Sequence, residues 1–248
     1  MKIKSILIFL IISTLTSLSL YGAEDTPLVN LSVAAVEDPG QFVKTINIAI
    51  VLMLFVLAPT LLLMVTSFTR LIIVFGLLRQ AMGLQQSPPN QIIISLSLIL
   101  TFFIMEPYAK TAWDNGIKPY MEETINYEVA FDESVSPFKE FMIKNTREKD
   151  LALFYRIKKQ ENPKNIEEVP LTLLMPAFII SELRTAFEIG FLVFLPFLVI
   201  DIIVASILMS LGMMMLPPVM ISLPIKLIFF IVIDGWHLII GNLAQSFK

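Results

Sequence analysis

The sequence predicts an all-α, polytopic membrane protein whose apolar helices flank one small polar insert. Two observations predict this class. Hydrophobic residues make up 56% of the 248 residues and charged residues only 16%, well below the roughly one quarter that is usual for a soluble domain. The charges are also concentrated, because 22 of all 39 lie between Pro107 and Pro170 and the rest of the chain forms two long apolar blocks.

The N-terminal residues have the order of a secretory signal peptide. Lys2 and Lys4 precede an apolar run that begins at Ile6, and small and polar residues follow it. We therefore interpret residues 1–23 as a signal peptide, with an uncleaved signal anchor as the alternative. Residues 24–45 are then an exported N-terminal segment.

The first apolar block covers residues 46–106 and is expected to supply two spans. Between them, the loop 67–90 carries Arg70 and Arg79 as its only charges. Arginines without acidic neighbours favour the cytoplasmic side of a membrane. We therefore predict that this loop is cytoplasmic, in agreement with an exported N-terminus.

The polar insert covers residues 107–170, and alternation of the spans places it outside the cytoplasm. Apolar side chains recur in it at three- and four-residue spacing, at Phe138 and Phe141 and again at Leu151 and Phe154. This spacing is typical of amphipathic helices with solvated opposite faces. We predict a pair of such helices, with the charged residues on the surface.

The second apolar block covers residues 171–248, and together the two blocks give four spans by hydropathy. Five prolines punctuate this block: Pro176, Pro196, Pro217, Pro218 and Pro224. We expect them to break it into helical hairpins, because proline removes a backbone donor and clashes with the preceding turn. Such helices persist in a membrane only where neighbouring protein or water satisfies the freed backbone groups, so we expect this chain to pack against other chains.

A few charged residues lie inside the second block, where each is costly at a bilayer centre. Arg184 and Glu188 are four residues apart and can pair on one helix. Glu182 and Lys226 have no opposite charge at helical spacing in their own segments. Either they extend to the membrane surface, or they pair with each other between helices or between subunits.

The loop 212–218 is the most unusual stretch of the chain. It consists of a glycine, three methionines, a leucine and two prolines: Gly212, Met213, Met214, Met215, Leu216, Pro217 and Pro218. The glycine lets the backbone turn, and the prolines prevent a plain helix. Methionine is unbranched and pliable, so its side chain fills irregular space without voids. From the residues alone, the favoured interpretation is that the three methionines fill a core or face lipid.

Composition and motifs exclude several classes of protein. The net charge of −3 and the absence of a Lys/Arg-rich run argue against nucleic-acid binding. No motif for nucleotide or peptide hydrolysis and no cysteine is present, so we predict no enzyme, no catalytic residue, no cofactor and no metal site. Two functions are compatible with the residues alone. One is a secondary transporter or proton channel that uses Glu182, Asp201 and Asp234 as a relay, and the other is a membrane anchor whose insert binds an extracytoplasmic partner.

Three long stretches resemble the FliP proteins of bacterial flagellar export. They are "TSFTRLIIVFGLLRQAMGLQQSPPNQIIISLSLILTFFIMEP" at 66–107, "PAFIISELRTAFEIGFLVFLPFLVIDIIVASILMSLGMMMLPP" at 176–218 and "LPIKLIFFIVIDGWHLIIGNLAQSF" at 223–247. The resemblance covers nearly everything beyond residue 45 and is weakest in the insert. It implies a pore-forming core subunit of the flagellar type III protein export gate, located in the inner (cytoplasmic) membrane at the flagellar basal body.

The resemblance also implies partners and site residues. Several copies, taken to be five, would form a helical ring with FliQ-type and FliR-type subunits, near FlhB-type and FlhA-type components, and would pass unfolded flagellar proteins. Met213, Met214 and Met215 of each copy would form a gasket in the pore, with Gly212, Pro217 and Pro218 shaping the loop. Glu182 and Lys226 would form a salt bridge between neighbouring copies. Much of the apolar helix would then lie above the membrane plane, against protein.

Overall fold

The computed structural model of the protein describes residues 39–84, 87–160, 169–213 and 216–247. Within these ranges the chain is helical apart from short turns and contains no strand, which confirms the all-α class for this part. The helices are α1 (Pro39–Met64), α2 (Phe68–Ala81), α3 (Asn90–Ala112), a π-helical segment (Trp113–Ile117), α4 (Lys118–Met121), α5 (Tyr127–Asn145), α6 (Glu148–Ile157), α7 (Leu171–Ser210), α8 (Pro218–Val232) and α9 (Gly235–Gln245).

The chain forms two compact units, Met1–Met53 and Leu54–Lys248. In the first unit the structure describes residues 39–53, which belong to α1 and are helical. The predicted signal peptide and most of the exported segment therefore lie outside the described residues. The helices α2 to α9 all belong to the second unit.

Helix α7 runs without interruption from Leu171 to Ser210, through both Pro176 and Pro196. The prediction that prolines break this stretch into shorter hairpins is therefore wrong. A proline inside a helix removes one hydrogen bond, but α7 buries Phe178 and Phe197 against neighbouring helices, and packing outweighs local propensity. At 1.5 Å per residue α7 is about 60 Å long, twice the ~30 Å hydrocarbon core of a bilayer.

Two of the described helical stretches are long and apolar enough to cross a membrane: α7, and Asn90–Met121, in which α3 continues through the π-helical segment into α4. The pair α8 and α9, bent by 64°, makes a third if it counts as one span. The first span expected from the sequence, residues 46–66, falls largely in α1. The helix that begins at Asn90 passes through Pro107, where the sequence predicted that the polar insert begins.

The first apolar core is built around α2. Its buried members come from five helices and from Met82, the residue after α2: Leu71, Val74, Phe75, Leu78, Ala81, Met82, Ile93, Ala186, Phe197, Phe230 and Leu243. Close approach of α2 and α7 depends on Gly190, because a Cβ atom there would lie 2.2 Å from Cδ1 of Leu77. The core therefore fixes α2 against the middle of the long helix α7.

A second core lies where the insert meets the first turns of α7. Its buried members are Met105, Phe141, Met142, Tyr155, Val169, Leu173, Leu174 and Phe178. The start of α6 is also held on α7 by polar contacts: the backbone N–H of Arg147 donates to Oγ of Ser181 at 3.0 Å, and that hydroxyl donates to Asp150 at 2.6 Å. The insert is therefore anchored on α7 through both apolar and polar contacts.

Candidate pore loop and its supporting charge networks

The loop between α7 and α8 begins with a left-handed glycine. Gly212 has φ +74°, and its N–H donates to the carbonyl of Met209 at 3.0 Å, while the N–H of Met213 donates to that of Leu208 at 3.0 Å. These two bonds form a Schellman motif, in which a glycine just past the helix end satisfies the last carbonyls. The sequence-based expectation of a turn at Gly212 therefore has a defined geometry.

The loop ends where α8 starts. Pro217 precedes the helix in an extended conformation, and Pro218 is its first residue, a position where proline is favoured because the missing N–H would have no partner in the helix. Met213, at the near end of the loop, is 40% exposed. Met214 and Met215 lie outside the described residues.

A partly buried charge network joins the two helices that flank this loop: Lys226 is 4% and Asp201 32% exposed. The ammonium group of Lys226 on α8 donates to Asp201 Oδ2 on α7 at 2.6 Å and to the carbonyl of Ala81 at the end of α2 at 3.1 Å. Ser222 donates to the other oxygen of Asp201, also at 2.6 Å. Asp201 lies eleven residues before Gly212 and Lys226 lies eight after Pro218, so this network fastens both helices about three and about two turns from the loop.

A second buried network is centred on Arg70 of α2. Its Nε donates to Glu182 Oε2 at 2.8 Å, and its Nη2 forms a salt bridge with the other oxygen of the same carboxylate. Nη1 donates at 2.9 Å to both the carbonyl and the hydroxyl of Ser246, and Nη2 reaches the side chain of Asn145 at 3.3 Å. The guanidinium also lies over the ring of Phe247, 3.9 Å from its centroid.

This second network joins four parts of the chain. Arg70 is 3% and Glu182 0% exposed, so neither group has water as an alternative partner. Ser246 and Phe247 belong to the C-terminal residues, and the Phe247 ring also stacks on Phe141 of the insert core at 6.0 Å. Arg70 thus holds α2, α7, the end of α5 and the C-terminus together.

The structure does not bring Glu182 and Lys226 together within the chain. Each is buried and holds another partner, Arg70 and Asp201 respectively. Their pairing between neighbouring copies stays a prediction, and it would require both side chains to become accessible. The predicted pair of Arg184 and Glu188 is confirmed, with 3.1 Å between Arg184 Nε and the carboxylate.

Sequence reasoning missed Arg70 and Asp201 as the partners of the two buried charges. Arg70 was interpreted only as a marker of the cytoplasmic loop, although it lies three residues into α2 and is buried. Glu182 is 112 residues away from it, so no spacing within one helix could have revealed the pair. The apolar blocks contain few ionisable residues, so pairing the opposite charges among them could have suggested these two partners.

The described residues hold no group of three His, Cys, Asp or Glu side chains that could bind a metal ion. Helices α7 and α8 flank the loop 212–218. The ion pair of Lys226 with Asp201 joins α8 to α7, and that of Glu182 with Arg70 joins α7 to α2.

Comparison with known proteins gives a consistent result. Residues 51–243 match the FliP family. The flagellar biosynthetic protein FliP of Bacillus subtilis (strain 168) is 47% identical over 217 residues, which cover 88% of this chain and 98% of that protein. Flagellar biosynthetic protein FliP of Caulobacter vibrioides is 53% identical over 192 residues, 77% of this chain and 72% of that protein. The Aquifex aeolicus protein of the same name is 46% identical over 211 residues, 84% of this chain and 88% of its own length.

Proposed function

This chain belongs to the FliP family, and on that premise we propose that it is the pore-forming core subunit of a flagellar type III protein export gate. Several copies, five in the proposal, surround a passage together with FliQ-type and FliR-type subunits, next to FlhB-type and FlhA-type components. Unfolded flagellar proteins cross the inner membrane through this passage while the flagellum is assembled.

The proposal rests on the loop 212–218 and on the contacts that fix the two helices on either side of it. A Schellman turn at Gly212 directs the chain out of α7, and the contact between Lys226 and Asp201 fixes the two flanking helices. Methionine side chains from several copies can fill a constriction of irregular shape and yield to different passing residues. An apolar constriction of this kind blocks water and ions when no polypeptide is present.

The outer surface of the apolar helices supports an assembly of several chains. Large side chains such as Phe191 and Ile202 on α7 and Ile228 on α8 are 64%, 57% and 63% exposed. Lipid can cover about 30 Å of such a surface, whereas α7 alone is about 60 Å long. The remaining apolar surface needs protein neighbours, because large exposed apolar patches mark interaction sites.

The rival function, a proton or solute relay through carboxylates, has little support in the structure. Asp201 and Glu182 are both engaged in ion pairs with basic residues. Asp234 is exposed and sits at a left-handed turn between α8 and α9, with φ 51°. Asparagine tolerates this backbone conformation as well as aspartate does, which allows a test that leaves the fold unchanged.

We expect the substitution Asp234→Asn to leave flagellar protein secretion near the level of the unchanged chain, since exposed substitutions of this kind change stability by about 0.5 kcal/mol or less. The measurement is the amount of flagellar filament protein secreted by a flagellated bacterium whose own FliP is replaced by this chain. The strain without any FliP sets the baseline. Loss of secretion in Asp234→Asn at normal levels of the protein would favour the relay.

A further inference from the structure

The charges of the insert are distributed unequally along the chain. Residues 107–135 carry two basic and six acidic side chains, whereas residues 136–160 carry seven basic and three acidic ones. We call residues 107–135, with a net charge of −4, the acidic half, and residues 136–160, with a net charge of +4, the basic half. The last ten residues of the insert, 161–170, add three acidic side chains and one basic one. Such an asymmetry within one small segment points to contacts between opposite halves.

The acidic half presents an exposed aromatic surface. One shallow recess on α5 is lined by two pairs of residues one turn apart, Tyr127 with Phe131 and Glu128 with Asp132. We call these four residues the acidic patch. Tyr127 and Phe131 are 67% and 51% exposed, and their ring centroids are 6.3 Å apart. The ring of Tyr120 extends the row at 6.4 Å from Tyr127.

The basic half presents a matching surface on α6. Lys149, Leu153, Arg156 and Ile157 follow each other at helical spacing, so they share one face, and all four are exposed; we call them the basic patch. Ile157 is 66% exposed. The patch therefore combines apolar side chains with positive charge, as the acidic patch combines them with negative charge.

Neither patch has an ionic partner among the residues that the structure describes. Five ion pairs are formed by the residues that the structure describes, and no residue of either patch takes part in them. A membrane surface is a poor partner for the acidic patch, because bilayers with anionic lipids repel carboxylates. Exposed tyrosine and phenylalanine side chains instead favour a protein partner.

We infer that the acidic patch of one copy docks on the basic patch of the next copy around the ring. Opposite charges across an interface select the partner and the register. A contact between two different surfaces of the same chain is heterologous, and its repetition gives a ring when the rotation between neighbouring copies closes. The inference rests on the proposed function, in which several copies surround one passage, and it assigns the surfaces that join them outside the membrane.

The test is cross-linking between engineered cysteines, since the natural chain has none. The double variant Asp132→Cys/Arg156→Cys is purified in detergent as the full gate complex and treated with a short thiol cross-linker. We expect a ladder of covalent dimers, trimers and larger species in the double variant, and only monomers in either single variant. Co-expression of the two single variants should give dimers that contain one chain of each kind.

Glu133 provides a matched control. It is exposed like Asp132, but at 3.6 residues per turn it points about 100° away from Asp132 and about 160° away from Phe131. The variant Glu133→Cys/Arg156→Cys should therefore give no ladder. A ladder of equal intensity in this control would overturn the assignment of the acidic patch.

The mass of each complex before cross-linking distinguishes failure of the docking proposal from failure of the proposed function. A complex with the mass of several copies but no ladder overturns the docking and leaves the ring standing. A single copy of the chain overturns both. Dimers in a single-cysteine variant indicate a two-fold contact and also overturn the head-to-tail arrangement.

A charge-reversal pair covers the case in which the cysteine variants fail to assemble. Asp132→Lys and Arg156→Glu should each lower the yield of assembled complex, and their combination should raise it again. A combination that is worse than both single variants overturns the docking.

Discussion

Replacing Arg70 with alanine is expected to cost about 3–5 kcal/mol of stability, because the Glu182 carboxylate would remain buried without its charged partner. The two residues are 3% and 0% exposed, so water cannot take the place of the guanidinium. The bonds to Ser246 and Asn145 and the contact with Phe247 would be lost at the same time. Most proteins have only about 5–15 kcal/mol of stability in total.

The measurement is the melting temperature of the detergent-purified protein. A loss of this size corresponds to a fall of roughly 6–20 °C for a chain of this length. Arg79→Ala is the matched control on the same helix, since the partners of Arg79 among the described residues are the carbonyl of Pro88 and an exposed Asn90. If Arg70→Ala and Arg79→Ala have the same melting temperature, the buried network of Arg70 does not stabilise the chain.

A second substitution separates the burial of an unpaired charge from the loss of the other contacts. Arg70→Ala/Glu182→Leu removes both charges, and replacing a buried ion pair by apolar groups is often close to neutral. We expect this double variant to melt above Arg70→Ala. The difference that remains from the unchanged protein then measures the bonds of Arg70 to the C-terminal residues.

Lys226→Glu is expected to disrupt the assembled complex, because it places a carboxylate next to Asp201 and the carbonyl of Ala81. The Asp201 carboxylate oxygen and the Ala81 carbonyl oxygen both accept hydrogen bonds from the ammonium group of Lys226. Like charges in a partly buried site repel more strongly than in water and disturb the helices that flank the methionine loop. The measurement is the fraction of the chain that elutes as the full complex after detergent extraction.

A second substitution, at Asp201 or at Glu182, then shows which carboxylate pairs with Lys226. The structure predicts that Asp201→Lys restores part of the complex in the Lys226→Glu background, because both groups belong to one ion pair in the chain. A bridge between neighbouring copies predicts recovery with Glu182→Lys instead. Recovery with Glu182→Lys alone would establish the bridge that the family resemblance implies, and coupling of this kind is read from the double variant relative to the two single ones.

Local signals in the sequence predicted the helices of the insert and the turn at Gly212. The first depends on apolar residues at three- and four-residue spacing, as at Phe138 and Phe141, and the second on the unique backbone freedom of glycine. Both are properties of neighbouring residues. They are therefore visible without any knowledge of the fold.

The continuity of α7 and the partners of the buried charges could not be predicted in this way. Pro176 and Pro196 each carry a local cost of about 3 kcal/mol in a helix, and only the packing of α7 against α2 and the insert shows that the cost is met. The partner of Glu182 lies on another helix, at Arg70, and the partner of Lys226 is Asp201 on α7. Contacts between distant residues follow from the fold and have no signature in spacing.

The central claim is that methionine side chains from several copies meet on one axis and close the passage. It is tested by the ion conductance of the purified complex in planar bilayers, with Met213, Met214 and Met215 replaced together by alanine. Leucine at the same three positions is the control, because it nearly conserves volume and remains apolar.

We predict that the alanine complex assembles normally and conducts small ions, whereas the leucine complex and the unchanged complex stay closed. Alanine leaves a gap that water can enter, while leucine preserves the apolar constriction. An alanine complex of the same mass that is as tight as the unchanged one would contradict the claim.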